Sequence, residues 1–301
     1  FVHLHVHSQY SILDGQASIQ KLVDKAIDDG MRGIAITDHG NMFGIKEFWN
    51  YVKKKNGARR DKVKQASAAV AELQAVVDGG EATEEQRTEL ARLKAEYDAL
   101  PKEDFKAIIG CEVYVARRGL QFKEGKHDQS GWHLILLAKN KTGYKNLIKI
   151  VSKAWTEGFY MRPRTDHAEL EKYHEGLICC SACLGGEIPK KIEAGDLAAA
   201  EEAVRWHKEL FGEDYYLELQ LHKATVERAN HEFYPQQKVV NKHLIELSQK
   251  LGVKLVCTND VHFVDEAHAE AHDRLICLST GKDLDDPNRM LYSKQEWMKT
   301  K

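Results

Sequence analysis

Three alternating histidines stand in the first apolar segment of the chain, and their spacing could hold a metal ion. His3, His5 and His7 lie two residues apart. Side chains at such positions of a β-strand share one face, so a strand here would present three imidazoles together. Imidazole is a common metal ligand, whereas three histidines make a poor hydrophobic core. The segment therefore predicts a metal-binding face.

Further ligand-type side chains follow or interrupt the later apolar runs. Asp38 and His39 come directly after the run GIAIT, and Asp260 and His262 close the run VKLVCTNDVH. Most such groups fall near the carboxyl end of a predicted strand, where α/β barrels assemble their sites. Nitrogen and oxygen donors with one thiol suit zinc, manganese or iron better than magnesium. The remaining members of the set are Asp14, Glu112, His133 and Cys183.

Each of these residues by itself has an ordinary structural interpretation. A single histidine is more often a hydrogen-bonded polar residue than a ligand, and a single cysteine often packs as a small apolar side chain. Cys180 and Cys183 also form a CxxC pair, but no second pair stands at zinc-ribbon spacing. We therefore expect neither a separate zinc ribbon nor a redox pair. The combined pattern is what favours metal chemistry.

The elements that must position these groups alternate along the chain. Near-continuous apolar strands that alternate with helices are typical of a parallel sheet covered by helices, and seven strands suit a barrel. The sequence therefore predicts an α/β fold of the (β/α) barrel type. The predicted strands are 2–7, 33–37, 107–115, 132–138, 177–181, 215–221 and 253–258. The predicted helices are 19–29, 145–156, 197–211 and 228–251.

Residues 57–104 interrupt this alternation. Basic residues cluster at 53–60, apolar residues then recur at helical spacing on both sides of Gly79 and Gly80, and Pro101 ends the pattern. Two helices joined at a Gly-Gly turn predict an inserted antiparallel hairpin. Its basic stem could contact nucleic acid, but runs of charge are usually solvated surface, and we favour that interpretation.

Composition excludes several classes of protein. The chain has 301 residues, and its 44 Lys plus Arg against 46 Asp plus Glu give a net charge of −2, so no long-range field attracts a polyanion. A hydrophobic content of 43% excludes a disordered chain. No apolar run is long enough for a membrane span, and the N-terminus lacks a signal-peptide pattern. We therefore expect a cytoplasmic protein, no membrane partner, and six reduced cysteines.

The chain resembles the PHP (polymerase and histidinol phosphatase) family, and within it the PHP domains of bacterial replicative DNA polymerases. The motifs that carry the resemblance include FVHLHVHSQYSILDG, GIAITDHGNMFG, SACLGGEIP and TNDVHFV. The resemblance implies a distorted seven-stranded (β/α) barrel with a trinuclear metal site. It places the PHP barrel at 1–280, with the hairpin at 57–104 inserted, and the start of the following polymerase segment at 281–301.

The family's nine metal ligands can be carried over by motif. The resemblance assigns them to three ions, as His5, His7, Glu112 and Asp260 for the first, Glu112, His133 and Cys183 for the second, and Asp14, His39 and His262 for the third. We expect zinc, manganese or iron, with magnesium possible at one position. His3 stands where many members have Asp and is expected outside the ligand set. Asp14, Glu112 and Asp260 are the expected catalytic carboxylates.

The intact ligand set implies hydrolysis of phosphodiesters, namely 3′→5′ proofreading of DNA. Candidate contacts to the DNA phosphates are Arg162, Arg164, Lys139 and His222. The expected partners are the DNA primer-template, the remainder of the polymerase alpha chain and other replisome subunits. Two alternatives stay open: a metal-stabilised structural module without activity, and a free-standing phosphatase. The C-terminal stretch DDPNRMLYSKQEWMKTK argues against the phosphatase, because it resembles the start of a further polymerase segment.

Overall fold

The computed structural model describes residues 1–12 and 14–300. The chain forms two compact units, one of Phe1–Lys46 with Ile108–Lys301 and the other of Glu47–Ala107.

The first unit is built on a seven-stranded sheet, which confirms the predicted α/β fold. The sheet order is β1-β2-β3-β5-β6-β7, and β4 pairs with β2. The strands are β1 Gly33–Ile36, β2 Lys106–Val115, β3 Trp132–Ala138, β4 Arg164–Thr165, β5 Leu177–Cys180, β6 Tyr215–Leu219 and β7 Lys254–Cys257. The short strand β4 was not predicted, and the predicted strand at 2–7 is reduced to one β-bridge, between Val6 and Val261.

The N-terminal segment nevertheless closes the sheet into a barrel. On one side, the backbone N–H of Thr37 donates to the carbonyl of Val6 at 2.8 Å. On the other side, the backbone N–H of His7 donates to the carbonyl of Val261 at 2.7 Å. The segment therefore lies between β1 and the residues that follow β7, and backbone hydrogen bonds continue around the ring.

Strand β3 runs in the opposite direction to its neighbours, so the expectation of a wholly parallel sheet was wrong. It pairs antiparallel with β2 and with β5, whereas β5, β6 and β7 pair in parallel. The connection from β2 to β3 contains only the four-residue helix Gly125–Asp128, whereas parallel neighbours are usually joined by a crossover with a longer helix. The beginning of β3 therefore lies at the same rim as the ends of its neighbours.

Helices cover the outside of the sheet, and all four predicted helices are present, one with the predicted bounds 197–211 and three with one end shifted. The helix predicted at 145–156 begins earlier, at Lys141, because the Asn140 side chain caps it by accepting the N–H of Gly143. The helices of this unit are α1 Ile19–Asp28, α4 Gly125–Asp128, α5 Lys141–Thr156, α6 His167–Tyr173, α7 Glu187–Glu193, α8 Leu197–Phe211, α9 Phe233–Leu251 and α10 Ala269–Thr280. Among the residues that the structure describes, no helix combines the length and apolar character needed to cross a membrane.

Alternation along β3 separates the helix-covered core from the barrel interior. Leu134 and Leu136 belong to the large apolar cluster that includes helix residues such as Ile150. Ile135 and Leu137 belong to a smaller cluster on the opposite face of the strand. Because successive side chains point to opposite faces, His133 shares the inner face with Ile135 and Leu137. The strand thus carries a polar residue into the barrel without breaking the outer core.

The second unit is a helical hairpin, formed by α2 (Ile45–Asp78) and α3 (Glu84–Ala99). Gly80 has a φ of 82° at the turn, a conformation that favours glycine. Thr83 and Gln86 form a capping box that starts α3. Beyond α3, the Asn56 amide exchanges two hydrogen bonds with the backbone of Phe105, at 2.8 and 2.9 Å.

The C-terminal residues pack against other parts of the first unit. Met298 is fully buried, and its N–H donates to the carbonyl of Phe263 at 3.1 Å. Arg289 forms a bidentate pair with Asp273 of α10. His3 Nε2 lies 2.9 Å from the carbonyl of Lys299, so this imidazole turns to the C-terminal segment.

Candidate metal centre

The proposed ligands come from seven places in the barrel, and one rim brings them together. His5 and His7 lie on the N-terminal segment and Asp14 lies in the loop that follows it. His39 follows β1, Glu112 lies in β2 and His133 lies at the beginning of β3. Cys183 follows β5, and Asp260 and His262 follow β7. The reversed direction of β3 explains how His133, near the start of its strand, reaches the rim.

Glu112 lies at the centre of the cluster. Its side chain is 1% exposed. Oε1 lies 2.8 Å from His133 Nδ1 and 3.4 Å from His5 Nε2. Oε2 lies 2.5 Å from His39 Nδ1 and 3.5 Å from His7 Nε2. One buried carboxylate therefore contacts four imidazoles, and its two oxygens can serve different ions.

The first group of donors has the spacing of a metal site. His5 Nε2 and His7 Nε2 lie 3.2 Å apart, and Asp260 Oδ1 lies 3.1 and 3.2 Å from them. Donors bound at about 2.0–2.1 Å to a tetrahedral ion are separated by about 3.3 Å. The three atoms can therefore bind one ion together.

The second group contains the thiol. Cys183 Sγ lies 3.6 Å from His133 Nδ1 and 3.9 Å from Glu112 Oε1. These separations are longer than those of the first group, as the longer zinc–sulfur bond of about 2.3 Å requires. Ala182, which precedes the thiol, has a φ of 61°. This left-handed backbone is uncommon for a residue with a Cβ and commonly marks functional sites.

The third group surrounds His39. Asp14 Oδ2 lies 3.0 Å from His39 Nε2. Donor atoms of His7, His39 and His262 lie within 4.8 Å of one another. The rings of His7 and His39 stack with centroids 4.0 Å apart. His7 is thus close to both the first and the third group, whereas the family pattern places it in the first alone.

Two donor atoms of this cluster, Asp14 Oδ1 and His262 Nε2, are buried and make no hydrogen bond. An unsatisfied buried polar atom costs free energy, and a charged one costs more. Two further oxygens, Glu112 Oε2 and Asp260 Oδ1, contact only imidazole nitrogens of the cluster. Coordination of divalent cations would give all four atoms a partner, so the donor set fits a metal centre.

Outer contacts hold the imidazoles in orientation. His5 Nδ1 lies 2.6 Å from Glu218 Oε1, and His7 Nδ1 lies 2.9 Å from Ser11 Oγ. Such bonds fix the tautomer and leave Nε2 free to bind metal. Sequence reasoning missed Glu218, although a charged residue within the apolar run YYLEL is the same signal that indicated Glu112.

The electrostatics of the centre keep its carboxylates ionised. Burial would raise the pKa of Glu112, but His133 and His39 outweigh it and hold that pKa well below its usual range. Burial would also raise the pKa of Asp260, but His5 and His262 outweigh this effect and hold that pKa well below its usual range. For His7, burial and the neighbouring His39 and His262 lower the pKa to about 3. A neutral imidazole and ionised carboxylates are the forms that bind metal.

The four predicted phosphate contacts lie in different environments. Arg164 is buried and donates to backbone carbonyls, including those of Gly158 and Asp128. Lys139 pairs with Asp214 at 2.7 Å. His222 is buried, and its side chain contacts Asn259 and Gln237. Arg162 is exposed at the surface.

A row of exposed aromatic rings, Phe43, Trp155 and Phe159, is joined by a hydrogen bond to the residue that follows His39. Trp155 is 5.7 Å from Phe43 and 5.6 Å from Phe159 between ring centroids. Trp155 Nε1 donates to the carbonyl of Gly40 at 2.8 Å, and Gly40 follows His39 in the chain. The three rings are between 41% and 56% exposed. Exposed stacked rings can bind the flat face of a ligand.

Comparison with known proteins gives a family and a set of relatives. A model of the PHP domain matches residues 3–222. DNA polymerase III subunit alpha of Borreliella burgdorferi is 39% identical over 300 residues, which cover 99% of this chain and 21% of the relative. The same subunit of Treponema pallidum is also 39% identical over 300 residues, with the same coverage. In Thermus aquaticus it is 35% identical over 301 residues, covering 99% of this chain and 20% of the relative.

The chain therefore spans about a fifth of the length of these relatives. A solved structure from Bifidobacterium adolescentis, described as a candidate metal-dependent phosphoesterase, is 12% identical with a TM-score of 0.38 and covers 87% of each chain. Because the PHP model matches well over half of the chain, the protein belongs to the PHP domain family.

Proposed function

We propose that this chain is the PHP domain of a DNA polymerase III subunit alpha and that it hydrolyses phosphodiesters of DNA, removing nucleotides in the 3′→5′ direction. The observation that carries the proposal is the complete set of nine donors gathered around Glu112. A purely structural module would not need a buried carboxylate in contact with four imidazoles.

The proposed cofactors are three divalent ions, of zinc, manganese or iron, with magnesium possible at one position. When bound, they would supply a deprotonated water as nucleophile and positive charge for the phosphoryl oxygens. The proposed ligands are His5, His7, Asp14, His39, Glu112, His133, Cys183, Asp260 and His262.

The side chains of the site differ in exposure, and this difference indicates their roles. His5, His7 and Glu112 have side chains at most 1% exposed and form the floor of the cluster. Asp14 and His133 have side chains 23% and 24% exposed and form its open side. A phosphodiester would therefore enter past Asp14 and His133, while the floor excludes water. The ionised carboxylates of Asp14, Glu112 and Asp260 would hold the charge balance of the loaded site.

The aromatic row favours an unpaired DNA end over a small phosphate ester. Aromatic side chains stack on successive bases without sequence preference. Phe43, Trp155 and Phe159 could receive the frayed bases of a mismatched primer, and the exposed Arg162 could receive a backbone phosphate. A small phosphate ester would use neither feature.

The domain arrangement and the partners are part of this proposal. Residues 1–280 would form the PHP barrel, 57–104 an insertion, and 281–301 the start of the next polymerase segment. The partners would be the DNA primer-template, the remainder of the alpha chain and other replisome subunits, in the cytoplasm.

The experiment compares nucleotide release from a 3′-mismatched primer, with manganese supplied, by the wild type and by Asp14→Asn. Asn preserves the volume but weakens one ligand, so the rate should fall about 100-fold or more while the protein stays folded. Asp61→Asn, at an exposed position of α2, is the matched control and should keep the full rate. Equal rates in all three proteins would indicate a contaminating nuclease, and no release by any of them would favour the structural module.

A further inference from the structure

A second histidine and carboxylate cluster lies outside the proposed metal centre, where three outer helices meet. His167 is the first residue of α6, Glu187 is the first residue of α7, and His207 lies in the last half of α8. One donor atom from each of the three side chains lies within 4.8 Å of the others. The resemblance to the PHP family accounts for none of these residues.

One separation in this cluster is compatible with coordination. His167 Nε2 and Glu187 Oε2 are 3.3 Å apart, which is long for a hydrogen bond to a carboxylate and close to the separation of two ligands of a tetrahedral zinc ion, about 3.3 Å. Similar separations, of 3.1 and 3.2 Å, occur between His5, His7 and Asp260 in the proposed centre.

The tautomer of His207 prepares it for metal binding. Its Nδ1 lies 2.8 Å from the carbonyl of Ala203. A carbonyl only accepts hydrogen bonds, so Nδ1 must carry the proton and the lone pair of the neutral ring is on Nε2. A histidine ligand held at its other nitrogen by a backbone carbonyl is a common arrangement in metal sites. Tyr215 stacks on the ring, with centroids 5.2 Å apart, and fixes its plane.

The surroundings of the two inner ligands favour the forms that bind metal. Glu187 is 5% exposed and His207 is 1% exposed. Burial would raise the pKa of Glu187, but His167 and Lys191 lower it to about 2. Burial lowers the pKa of His207 to about 4. At neutral pH the carboxylate is therefore ionised and the imidazole is neutral. His167 is more exposed, which leaves a side open for water as a fourth ligand.

One positive charge opposes an ion at this place. Lys191 Nζ lies 2.8 Å from Glu187 Oε1, the oxygen that does not face His167. The two oxygens can therefore serve different partners, but the ammonium group repels a cation and weakens the site. Removal of this charge should tighten metal binding, an effect that a simple hydrogen-bond network would not produce.

We propose that His167, Glu187 and His207 form a fourth metal site, for zinc or a similar divalent transition ion. Two imidazoles, one carboxylate and a water are a ligand set typical of zinc. The ion would join α6, α7 and α8. It would also fix the segment between β5 and α7, because Glu187 lies four residues after Cys183. Its role would be structural, and it does not depend on the proposed nuclease activity.

The first test is crystallography of the zinc-soaked chain with data at the zinc absorption edge, together with metal analysis after dialysis. An anomalous peak between the three side chains is expected. His207→Gln should hold one ion fewer than the wild type, while His231→Gln, which changes an exposed histidine, should hold the same number. Absence of a peak at this place in zinc-saturated crystals would overturn the proposal.

A second pair of variants avoids the risk that a change at the buried His207 prevents folding. His167→Gln alters the most exposed ligand and should weaken this site by more than the 10- to 100-fold typical of losing an outer contact. Lys191→Met should instead tighten it. Trp206, stacked on His167 with centroids 4.1 Å apart, should report cobalt binding by quenching of its fluorescence. Trp206→Phe identifies the part of the quenching that Trp206 reports. If the cobalt concentration that gives half of this quenching is unchanged in both variants, cobalt does not bind through His167 and the proposal is overturned.

Discussion

Glu112 illustrates how one residue type can reveal a site. A carboxylate within the apolar run GCEVYV has no packing role, and burial is costly unless charges surround it. The structure places four imidazoles around it. The same reasoning applies to Glu218, whose oxygen contacts His5, Gln220 and Thr258.

Substitution of Glu218 tests the outer contacts. Glu218→Gln preserves the side-chain volume but removes the negative charge. That charge holds the proton on His5 Nδ1, which orients the ring and leaves the lone pair on Nε2. We expect zinc or manganese affinity to fall about 10- to 100-fold, measured by competition with a chromogenic chelator. Glu202→Gln, at an exposed position of α8, should leave affinity unchanged. A lower melting temperature with unchanged affinity would mean that Glu218 only supports packing.

Trp155 tests the proposed base-stacking row. Loss of one stacked base costs about 1–3 kcal/mol, so Trp155→Ala should raise the KM for a single-stranded primer about 5- to 150-fold, with kcat nearly unchanged. Trp155→Phe keeps a ring but loses the bond to Gly40, and should stay close to the wild type. Trp49→Ala changes another exposed tryptophan and should have no effect. An equal rise in KM for Trp155→Ala and Trp49→Ala would show that the row of Phe43, Trp155 and Phe159 has no specific role in binding the primer.

At the scale of elements, the hairpin is the part that the proposed centre needs least. The unit Glu47–Ala107 holds none of the nine proposed ligands. Replacement of residues 57–104 by a short Gly-Ser linker should leave metal content and melting temperature nearly unchanged, because the hydrogen bonds between Asn56 and Phe105 keep the two cut ends together. Metal analysis and calorimetry of the shortened protein check this. Adding Asn56→Ala should destabilise it, and insoluble protein without that change would contradict the prediction.

The direction of β3 shows what periodicity can and cannot predict. Apolar runs located β1, β2, β3, β5 and β6 within a few residues, because a buried strand must be apolar whatever its direction. The direction depends on the connection, and the segment 116–131 carries no pattern of a long crossover helix. The lack of that pattern is the sequence signal for a reversed strand. Because β3 is reversed, His133 lies at the same rim as the other proposed ligands although it stands near the start of its strand.

The N-terminal segment departs from the predicted face of three histidines for a reason that the local sequence does not show. His3, His5 and His7 alternate as in a strand, yet His3 contacts the carbonyl of Lys299 instead of the cluster. That partner is 296 residues away in the sequence. Spacing can indicate which residues are able to share a face, but contacts between distant segments decide which of them do.

For the whole molecule, the proposed centre links metal binding to stability. Without metal, donor groups of the centre repel one another or lack hydrogen-bond partners, and with metal they coordinate it. An ion at 1,000 times its dissociation constant adds about 4 kcal/mol to the free energy of unfolding. Removal of metal with a chelator should therefore lower the melting temperature, and zinc should restore it. Calorimetry of the chelated and reloaded protein measures the change.

The dependence on pH should have opposite signs in the two forms. Burial would lower the pKa of His5, His39 and His133, but carboxylates outweigh it and raise all three. In the metal-free protein, these raised values contribute stability that is fully present below about pH 6.5, the unfolded value, and is lost as the pH rises through the folded values. Metal binding must displace the same protons, so the zinc-loaded protein should gain stability as the pH rises.

Melting temperatures of both forms between pH 7 and pH 8 test this expectation. Lower pH is left out because His7 and His207, whose pKa values are lowered to about 3 and about 4, contribute stability that rises with pH up to about pH 6.5. The metal-free curve should fall and the zinc-loaded curve should rise, so the stabilisation by zinc widens with pH. His231→Gln controls for histidines at the surface and should shift neither slope. Parallel curves would mean that zinc binds without displacing protons from these imidazoles, which is incompatible with His5, His39 and His133 as its ligands.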